Sequence, residues 1–435
     1  MSERTATERV EEALAKAHAT QDTLNAFISI DDQRALTRAA EIDELTNRGE
    51  AVGPLAGVPL ALKDIIDHEG RVTTSGSSFY AETATATAGC VARLEQAGGI
   101  IIGRTNLHEW AFGFNSENDH WGPVRNPWDL DTSAGGSSGG SGAVVSAGIT
   151  PIAIGTDTGG SVRVPAALCG AYGLKVTYGK IPLDGVFPLV PSVDTVGPIA
   201  NSIDATAASY RAMSGDTTPE PERRPLRLGI PEPWYGRAPM NAAVASAFEG
   251  AIRGLEQLGH QVHPIDIPDT YPSRHINGAL EEVEIVHREF RLQGKHYGKS
   301  VEERITAVEE LTPEEVSEAR EWQRMIRQRF ADAFGTVDLL VTPTTPAMRK
   351  VIGDNTIGDK DHRSVLSHFT AIVNHALLPA FALPLAGTGT PPASLQIIGD
   401  LDSEPLLLGF GRWLEEAGMV AFTPAVSSSP NTGGR

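Results

Sequence analysis

Two stretches rich in glycine and serine carry the residues best suited to chemistry in this chain: Ser133-Ala-Gly-Gly-Ser-Ser-Gly-Gly-Ser-Gly142 and Asp157-Thr-Gly-Gly-Ser161-Val-Arg-Val-Pro165. A glycine–serine run by itself reads as a flexible linker. This one is flanked by ordered-looking sequence containing Trp121, Trp128 and a helical pattern. A phosphate loop would need a lysine and a hydroxyl residue after its last glycine, and neither cluster supplies them. Gly135-Gly-Ser137-Ser-Gly139 satisfies the G-x-S-x-G pattern of a nucleophile elbow, but Asn126-Pro-Trp-Asp-Leu-Asp-Thr before it is not the buried strand an elbow follows. A third reading, in which the two loops meet and each offers a serine, explains more of the sequence. Gly159 and Gly160 free the backbone before Ser161 to aim consecutive N–H groups at one point, which is what an oxyanion hole requires.

A serine hydroxyl is a poor nucleophile until a base takes its proton. The twelve histidines are scattered, and His108-Glu109 stands alone rather than in a metal-binding pattern. A lysine can be the base only where burial lowers its pKa toward neutrality. The chain has eight lysines, and Lys63, in Val-Pro-Leu-Ala-Leu-Lys-Asp, lies in the most apolar setting of them. The competing structural reading pairs Lys63 with Asp64 or Asp67.

The elements that must position these residues follow from hydrophobic periodicity. Val10, Leu14 and Ala17, then Ala35, Ala39, Ile42 and Leu45, recur at helical spacing, with Leu24–Ile30 as a short strand between them. Val58–Leu62 is an apolar run of the kind that forms a strand buried on both faces. Residues 90–98 read as a helix and 99–103 as a strand. Residues 115–142 read as irregular, 143–147 as a small-residue helix, 149–154 as a strand and 155–160 as a glycine-rich loop. After a polar, proline-rich connector at 214–225, strands are expected at 226–230 and 261–265, a helix at 241–258, and buried strands near 338–344 and 380–384. Alternation of strands and helices predicts an α/β/α layering on one large mixed, mostly parallel sheet that the second half extends. The expected division is a helical segment 1–50 packed on the core, a main domain 51–423 with a helical excursion about 279–333, and a disordered tail 424–435.

Composition bounds the function classes. The 435 residues carry a formal net charge of −19, which works against wrapping phosphate backbones or lying on anionic lipid. Cys90 and Cys169 make no C-x-x-C pair and sit in apolar settings typical of buried free thiols. No signal-peptide core opens the sequence, and no apolar run reaches the length of a membrane span. The expectation is a cytoplasmic enzyme for a small molecule, with no nucleic-acid or membrane partner. A homodimer is expected only on the ground that dimers are common among soluble enzymes.

The sequence resembles the amidase signature family. Gly-Gly-Ser-Ser-Gly-Gly at 135–140, Gly-Thr-Asp-Thr-Gly-Gly-Ser-Val-Arg-Val-Pro-Ala at 155–166, Gly170-Ala-Tyr-Gly-Leu-Lys-Val-Thr-Tyr-Gly179 and the lysine block from Gly57 carry the resemblance. Gly103-Arg-Thr-Asn-Leu-His-Glu-Trp and Leu395-Gln-Ile-Ile-Gly399 extend it more weakly. The resemblance implies a Ser-Ser-Lys triad, with Ser161 acylated, Ser137 relaying its proton after an unusual cis peptide, and Lys63 as base. It implies an oxyanion hole from the backbone of Thr158, Gly159, Gly160 and Ser161, support from Ser138 and Asp157, and a structural ion pair at Arg163. The choice of Ser137 over Ser138 rests on it alone. No metal or organic cofactor is implied.

The implied reaction is hydrolysis of the C–N bond of a carboxylic amide, with esters and carbamates accessible to the same acylation. The family also contains the glutaminase component of glutamine-dependent tRNA amidotransferases, where the same triad releases ammonia from glutamine for partner subunits. This chain lacks that group's arginine-rich segment, and the region Glu289 to Arg304 reads differently. A ligand-binding pseudoenzyme is disfavoured because all three triad positions are filled. Candidates for the acyl pocket are Phe114, Trp121 and Trp128, the segment Gly185-Val-Phe-Pro-Leu-Val-Pro191, and the helices near 279–333. For each aromatic, ordinary core packing is the stronger expectation.

Overall fold

In the computed structural model, which describes residues 4–267 and 277–425, long apolar runs become the interior strands of one sheet. Its eleven strands run in the order Phe27–Ile30, Ile100–Thr105, Pro59–Lys63, Ile152–Asp157, Thr195–Ala200, Tyr172–Lys175, Ala380–Pro384, Ser394–Ile398, Leu339–Pro343, Arg227–Pro233, Gln261–Ile267. Every residue of Pro59–Lys63, Ile152–Asp157, Leu339–Pro343 and Ala380–Pro384 is buried. Continuous burial of this kind marks strands covered on both faces by helices. The second half of the chain extends the sheet rather than starting a new one, as expected.

The sheet is mixed, but the expectation that it is mostly parallel needs correction. Parallel pairing is confined to two blocks: Ile100–Thr105, Pro59–Lys63 and Ile152–Asp157 on one side, Leu339–Pro343, Arg227–Pro233 and Gln261–Ile267 on the other. Between the blocks all pairs are antiparallel. The physical reason is connection length. Parallel neighbours need a long crossover, whereas Ala380–Pro384 and Ser394–Ile398 are separated only by residues 385–393 and pair as a hairpin.

The first helices, Ala6–Leu24 and Asp32–Asn47, bury Val10, Leu14, Ala17, Ala35, Ala39 and Ile42. These share one apolar cluster with Ile100, Ile102, Ala143 and Val144. Thr5 and Glu8 form a capping box that fixes where the first helix starts. Residues 115–133, expected to be irregular, form two small hairpins, Glu117–Asn118 with Gly122–Pro123 and Arg125–Asn126 with Asp129–Ser133. The helical excursion consists of Asn277–Leu292, Lys299–Glu309 and Pro313–Phe334. The expected tail lies, from residue 426 on, outside the described residues. No helix among the described residues is long and apolar enough to cross a membrane.

Candidate active site

Two neighbouring parallel strands end side by side at the site. Pro59–Lys63 and Ile152–Asp157 pair with Leu62 opposite Ile154, so Lys63 and Thr156 emerge at the same carboxyl-terminal edge. The antiparallel Thr195–Ala200 begins at that edge, with Thr195 opposite Asp157, and brings Asp194 to it. Crevices at the carboxyl ends of parallel strands are the usual ligand sites of open α/β sheets.

Lys63 is wholly buried, and its Nζ donates to Ser137 Oγ at 2.7 Å and to Thr156 Oγ1 at 2.7 Å. Burial pushes its ammonium down to about 7, with the carboxylates of Asp157 and Asp194 pulling weakly the other way. Neither Asp64 nor Asp67 takes Lys63 as a partner: Asp64 pairs with Arg104, and Asp67 accepts from Thr73. Two other lysines, Lys175 and Lys350, are buried as deeply. Lys175 spends its amine on the carbonyls of Val176 and Leu378, and Lys350 pairs with Glu117. The apolar setting expected to single out Lys63 is therefore shared, and its hydroxyl partners distinguish it.

The glycine–serine run is not a linker. Gly139–Ser146 is a fully buried helix that starts before the expected 143–147. Small residues allow that packing, since a side chain at Gly140 would overlap the carbonyls of Ala26 and Asn106. The Gly136–Ser137 peptide is cis. The Ser137 carbonyl accepts from the His108 N–H and the Ser116 hydroxyl, both at 3.0 Å. Ser138 Oγ donates to the Thr156 carbonyl at 3.2 Å and accepts the Thr156 N–H at 3.3 Å, while its own N–H reaches the Ser161 carbonyl at 3.3 Å. A Cβ at Gly155 would lie 2.6 Å from that hydroxyl, so glycine there makes room for Ser138.

The turn carrying Ser161 is built around the Asp157 carboxylate. That group accepts the N–H of Gly160 at 2.8 Å and of Val162 at 3.1 Å, the Arg163 guanidinium at 2.9 and 3.0 Å, and Asn374 Nδ2 at 2.8 Å. Burial alone would raise its pKa, but the charge and hydrogen bonds of Arg163 outweigh it and hold the carboxyl well below the usual range. Arg163, fully buried, also donates to Gln396 Oε1 at 2.7 Å, Asn374 Oδ1 at 2.6 Å and the Thr370 carbonyl at 3.0 Å. Gly160 has φ +132, and a side chain there would overlap the Thr370 hydroxyl, which itself donates to the Gly159 carbonyl at 2.7 Å. Because the Gly160 N–H is committed to Asp157, Gly160 leaves the expected oxyanion set. Thr158, Gly159 and the Ser161 backbone remain.

A cavity of about 270 Å³ opens beside Lys63, lined by Ala111, Thr156, Thr158, Leu183, Val186, Phe187, Pro188, Leu189, Pro191, Asp194 and Thr195. Asp194 accepts the Thr158 hydroxyl at 2.6 Å and the N–H groups of Leu189 and Val190 at 2.8 and 3.0 Å. Burial nonetheless raises its pKa. The 185–191 segment expected to line an acyl pocket does line this cavity, whereas Phe114, Trp121 and Trp128 do not. Phe114 packs on Val164, Leu168 and Leu366, and Trp128 Nε1 donates to the Cys169 carbonyl at 2.9 Å. The Phe114 ring also lies against the turn before Ser161, where a Cβ at Gly159 would stand 3.2 Å from its Cζ. His108 is buried, and burial followed by the nearby Arg304 charge pushes its imidazole down to about 3. A base that weak holds little affinity for a serine proton at neutral pH. No group of three or more His, Cys, Asp or Glu residues that could hold a metal ion occurs among the described residues.

Sequence reasoning missed Thr156, Asp194, Thr370, Asn374 and Gln396. Gln396 lies in the family-like Leu395–Gly399 segment and Thr156 in the block from Gly155, but nothing local marks Asn374 or Asp194.

With the strand edge, the buried lysine and the two serine loops in place, the comparison with known proteins is direct: residues 8–408 match the Amidase family, and the chain belongs to it. Members of that family are hydrolases of C–N bonds, so amide chemistry is the class of reaction. The chain is 33% identical to a glutamyl-tRNA(Gln) amidotransferase subunit of Chromohalobacter salexigens, covering 94% of this chain and 93% of the relative. Among solved structures it is similar to an amidase at TM-score 0.90 and 31% identity, covering 95% of this chain and 96% of the other. It is also similar, at TM-score 0.87 and 32% identity over 97% of each chain, to a structure described as a vestigial protein complex revealing the origins of an s-triazine catabolic enzyme.

Proposed function

We propose that this protein hydrolyses the C–N bond of a carboxylic amide through an acyl-enzyme on Ser161, with Lys63 as base acting through Ser137. The observation that carries the reading is the wholly buried Lys63 amine, pushed to about 7, lying 2.7 Å from Ser137 Oγ in a loop bonded to the Ser161 backbone. Unprotonated Lys63 takes the Ser137 proton as Ser137 takes that of Ser161, and Ser161 Oγ bonds to the carbonyl carbon. The oxygen of the tetrahedral intermediate is stabilised by the backbone N–H groups of Thr158, Gly159 and Ser161. Collapse breaks the C–N bond while the same relay returns the proton to the leaving nitrogen. Water, deprotonated by the relay, then cleaves the acyl ester to release the acid and restore Ser161. Thr156 holds Lys63 so that its lone pair faces Ser137. Asp157, with Arg163 and Ser138, fixes the turns that carry the two serines. Esters and carbamates meet the same nucleophile. A fluorophosphonate probe is expected to add one label, assigned to Ser161 itself by fragmentation of the labelled peptide, since no Lys or Arg lies between Arg125 and Arg163 and trypsin leaves Ser137, Ser141 and Ser161 on one peptide. Labelling of Ser137 or Ser141 instead would restore the elbow reading.

A second reading, release of ammonia from glutamine for partner subunits, is favoured by the amidotransferase subunits among the relatives. Against it, no Lys or Arg is among the described residues lining the cavity. Arg304 lies outside that lining, with its guanidinium 3.9 Å from the centroid of the Phe112 ring. The purified chain alone is expected to hydrolyse simple amides faster than glutamine, with Arg304→Ala changing acetamide turnover by less than about threefold. Glutaminase activity that needs co-purified subunits and disappears in Arg304→Ala would place a carboxylate on that guanidinium and reverse the order.

A further inference from the structure

We propose that the cavity beside Lys63 is an acyl subsite for an uncharged, flat apolar group, and that Phe187 is its specificity-determining residue. This rests on the acyl-enzyme reading and names the substrate class it serves: primary amides of aryl or similarly flat acids, in preference to amides carrying a carboxylate.

Placement comes first. Thr158 belongs both to the turn before Ser161 and to the cavity wall. With Thr158 in the turn before Ser161 and Thr156 bonded to Lys63, the cavity adjoins both catalytic loops, and this subsite seats the acyl substituent of the amide. At about 270 Å³ the space is near the lower bound of ligand pockets, about 300–1,000 Å³, and admits a ring but not a long chain coiled on itself.

The chemistry of the wall comes next. Ala111, Leu183, Val186, Phe187, Leu189 and the two prolines make it apolar. Phe187 is the one aromatic ring among the described lining residues, and other rings pack against it. Its ring lies 4.8 Å from Trp110, 5.6 Å from Tyr80 and 6.4 Å from Phe290, the last nearly parallel at 22°. Phe290 belongs to the helix Asn277–Leu292, whose Glu282 also accepts the Ser192 N–H at 2.9 Å. On its other side the segment is bonded to the stretch just after Lys63, through Phe187 N–H to the Ile65 carbonyl at 2.9 Å and Asp67 N–H to the Gly185 carbonyl at 2.7 Å. The helical excursion and the lysine strand thus fix the position of one ring. A fixed ring favours an aromatic guest, because offset-stacked and edge-to-face pairs gain beyond area burial only when their geometry is set in advance.

The charge on the wall selects in the same direction. Asp194 is the only ionisable residue among the described lining residues, and the Thr158 hydroxyl and two backbone N–H groups donate to its carboxylate. A second carboxylate brought into this space would meet the Asp194 carboxyl oxygens, with no Lys or Arg among the described lining residues to offset it, a repulsive form of selection.

The experiment compares kcat/KM of the full chain for acetamide, benzamide and succinamate. Benzamide is expected to exceed succinamate by at least about tenfold. Phe187→Ala is expected to lower kcat/KM for benzamide by about tenfold or more, chiefly through KM, and for acetamide by less than about threefold. Phe187→Leu, which keeps most of the volume, guards against a folding defect: it should lose the aryl preference while its circular dichroism and the rate of fluorophosphonate labelling at Ser161 match those of the unaltered chain. Equal losses on benzamide and acetamide in Phe187→Leu, or a preference for succinamate in the unaltered chain, overturn the subsite. Turnover of none of the three amides, together with no fluorophosphonate label on Ser161, overturns the underlying acyl-enzyme reading instead.

Discussion

Ser161→Ala is expected to lower kcat/KM for every accepted amide by at least about 10⁴-fold, roughly 5 kcal/mol of transition-state stabilisation, without unfolding the protein. The size follows from the role. A nucleophile forms the bond that divides a hard hydrolysis into two easier steps, and no neighbouring hydroxyl can replace it without moving the carbonyl away from the oxyanion donors. The fold should survive because the contacts tying Ser161 to its surroundings run through its backbone. Its carbonyl takes the Ser138 N–H, and the turn is held by Asp157, with bonds to Gly160 and Val162 on either side. Ser137→Ala removes only the proton relay, so a smaller loss, in the range of about 10²- to 10⁴-fold, is expected. The order of the two variants therefore decides between readings. If Ser137→Ala were the dead variant and Ser161→Ala merely slow, the nucleophile would be Ser137 and the elbow pattern would be the correct one. Steady-state rates on one amide, with circular dichroism to confirm folding, make the comparison.

What the sequence could and could not disclose follows from how local each signal is. Pro59–Lys63 was legible because an unbroken apolar run has only a doubly covered strand to occupy. The same run placed Lys63 in the interior, but it could not distinguish Lys63 from Lys175. Both are pushed to about 7 by burial. The difference lies in their partners: Ser137 and Thr156 for Lys63, and for Lys175 a carbonyl more than two hundred residues away. The clamp under Ser161 was hidden for the same reason, since Arg163 meets Asn374 and Gln396 from distant strands and helices. Thr195–Ala200 was unread for a different reason: its Gly197 and Pro198 are turn residues by composition. Pro198 is paired with Ile154 in the ladder to Ile152–Asp157, while the ladder to Tyr172–Lys175 joins only Ala200 and Ile199 and leaves the proline beyond its end. The helix Gly139–Ser146 misleads in the opposite direction. Its composition reads as flexible, yet its glycines are sites of close approach: the Ser116 side chain at Gly139, the carbonyls of Ala26 and Asn106 at Gly140 and Pro165 at Gly142.

Lys63→Met is expected to lower activity by about 10³- to 10⁴-fold and at the same time to make the protein more stable at pH 6. The sign follows from the pKa. The folded-state value of about 7 lies below the roughly 10.4 of an exposed lysine, so folding favours the neutral amine. Below about pH 7 the folded protein holds a buried charge, and the penalty is fully present. As pH rises from about 7 to about 10.4 the folded form has already lost its proton while the unfolded chain still binds one, and stability recovers. At pH 6 the gain from removing the amine is about 5 kcal/mol from the pKa difference alone. Methionine leaves the hydroxyls of Ser137 and Thr156 without this partner, at about 1–3 kcal/mol, so a net gain of about 2–4 kcal/mol is expected. Melting temperatures of the two proteins across pH 6 to 9.5 test this: the variant should lead at the acid end and fall behind at the alkaline end. The activity of the unaltered enzyme should follow the same ionisation, with kcat/KM rising through about pH 7 and then levelling as Lys63 loses its proton. A stability difference that is flat with pH, or an activity plateau that begins well below pH 6, would mean that Lys63 is not the group whose neutral form does the work.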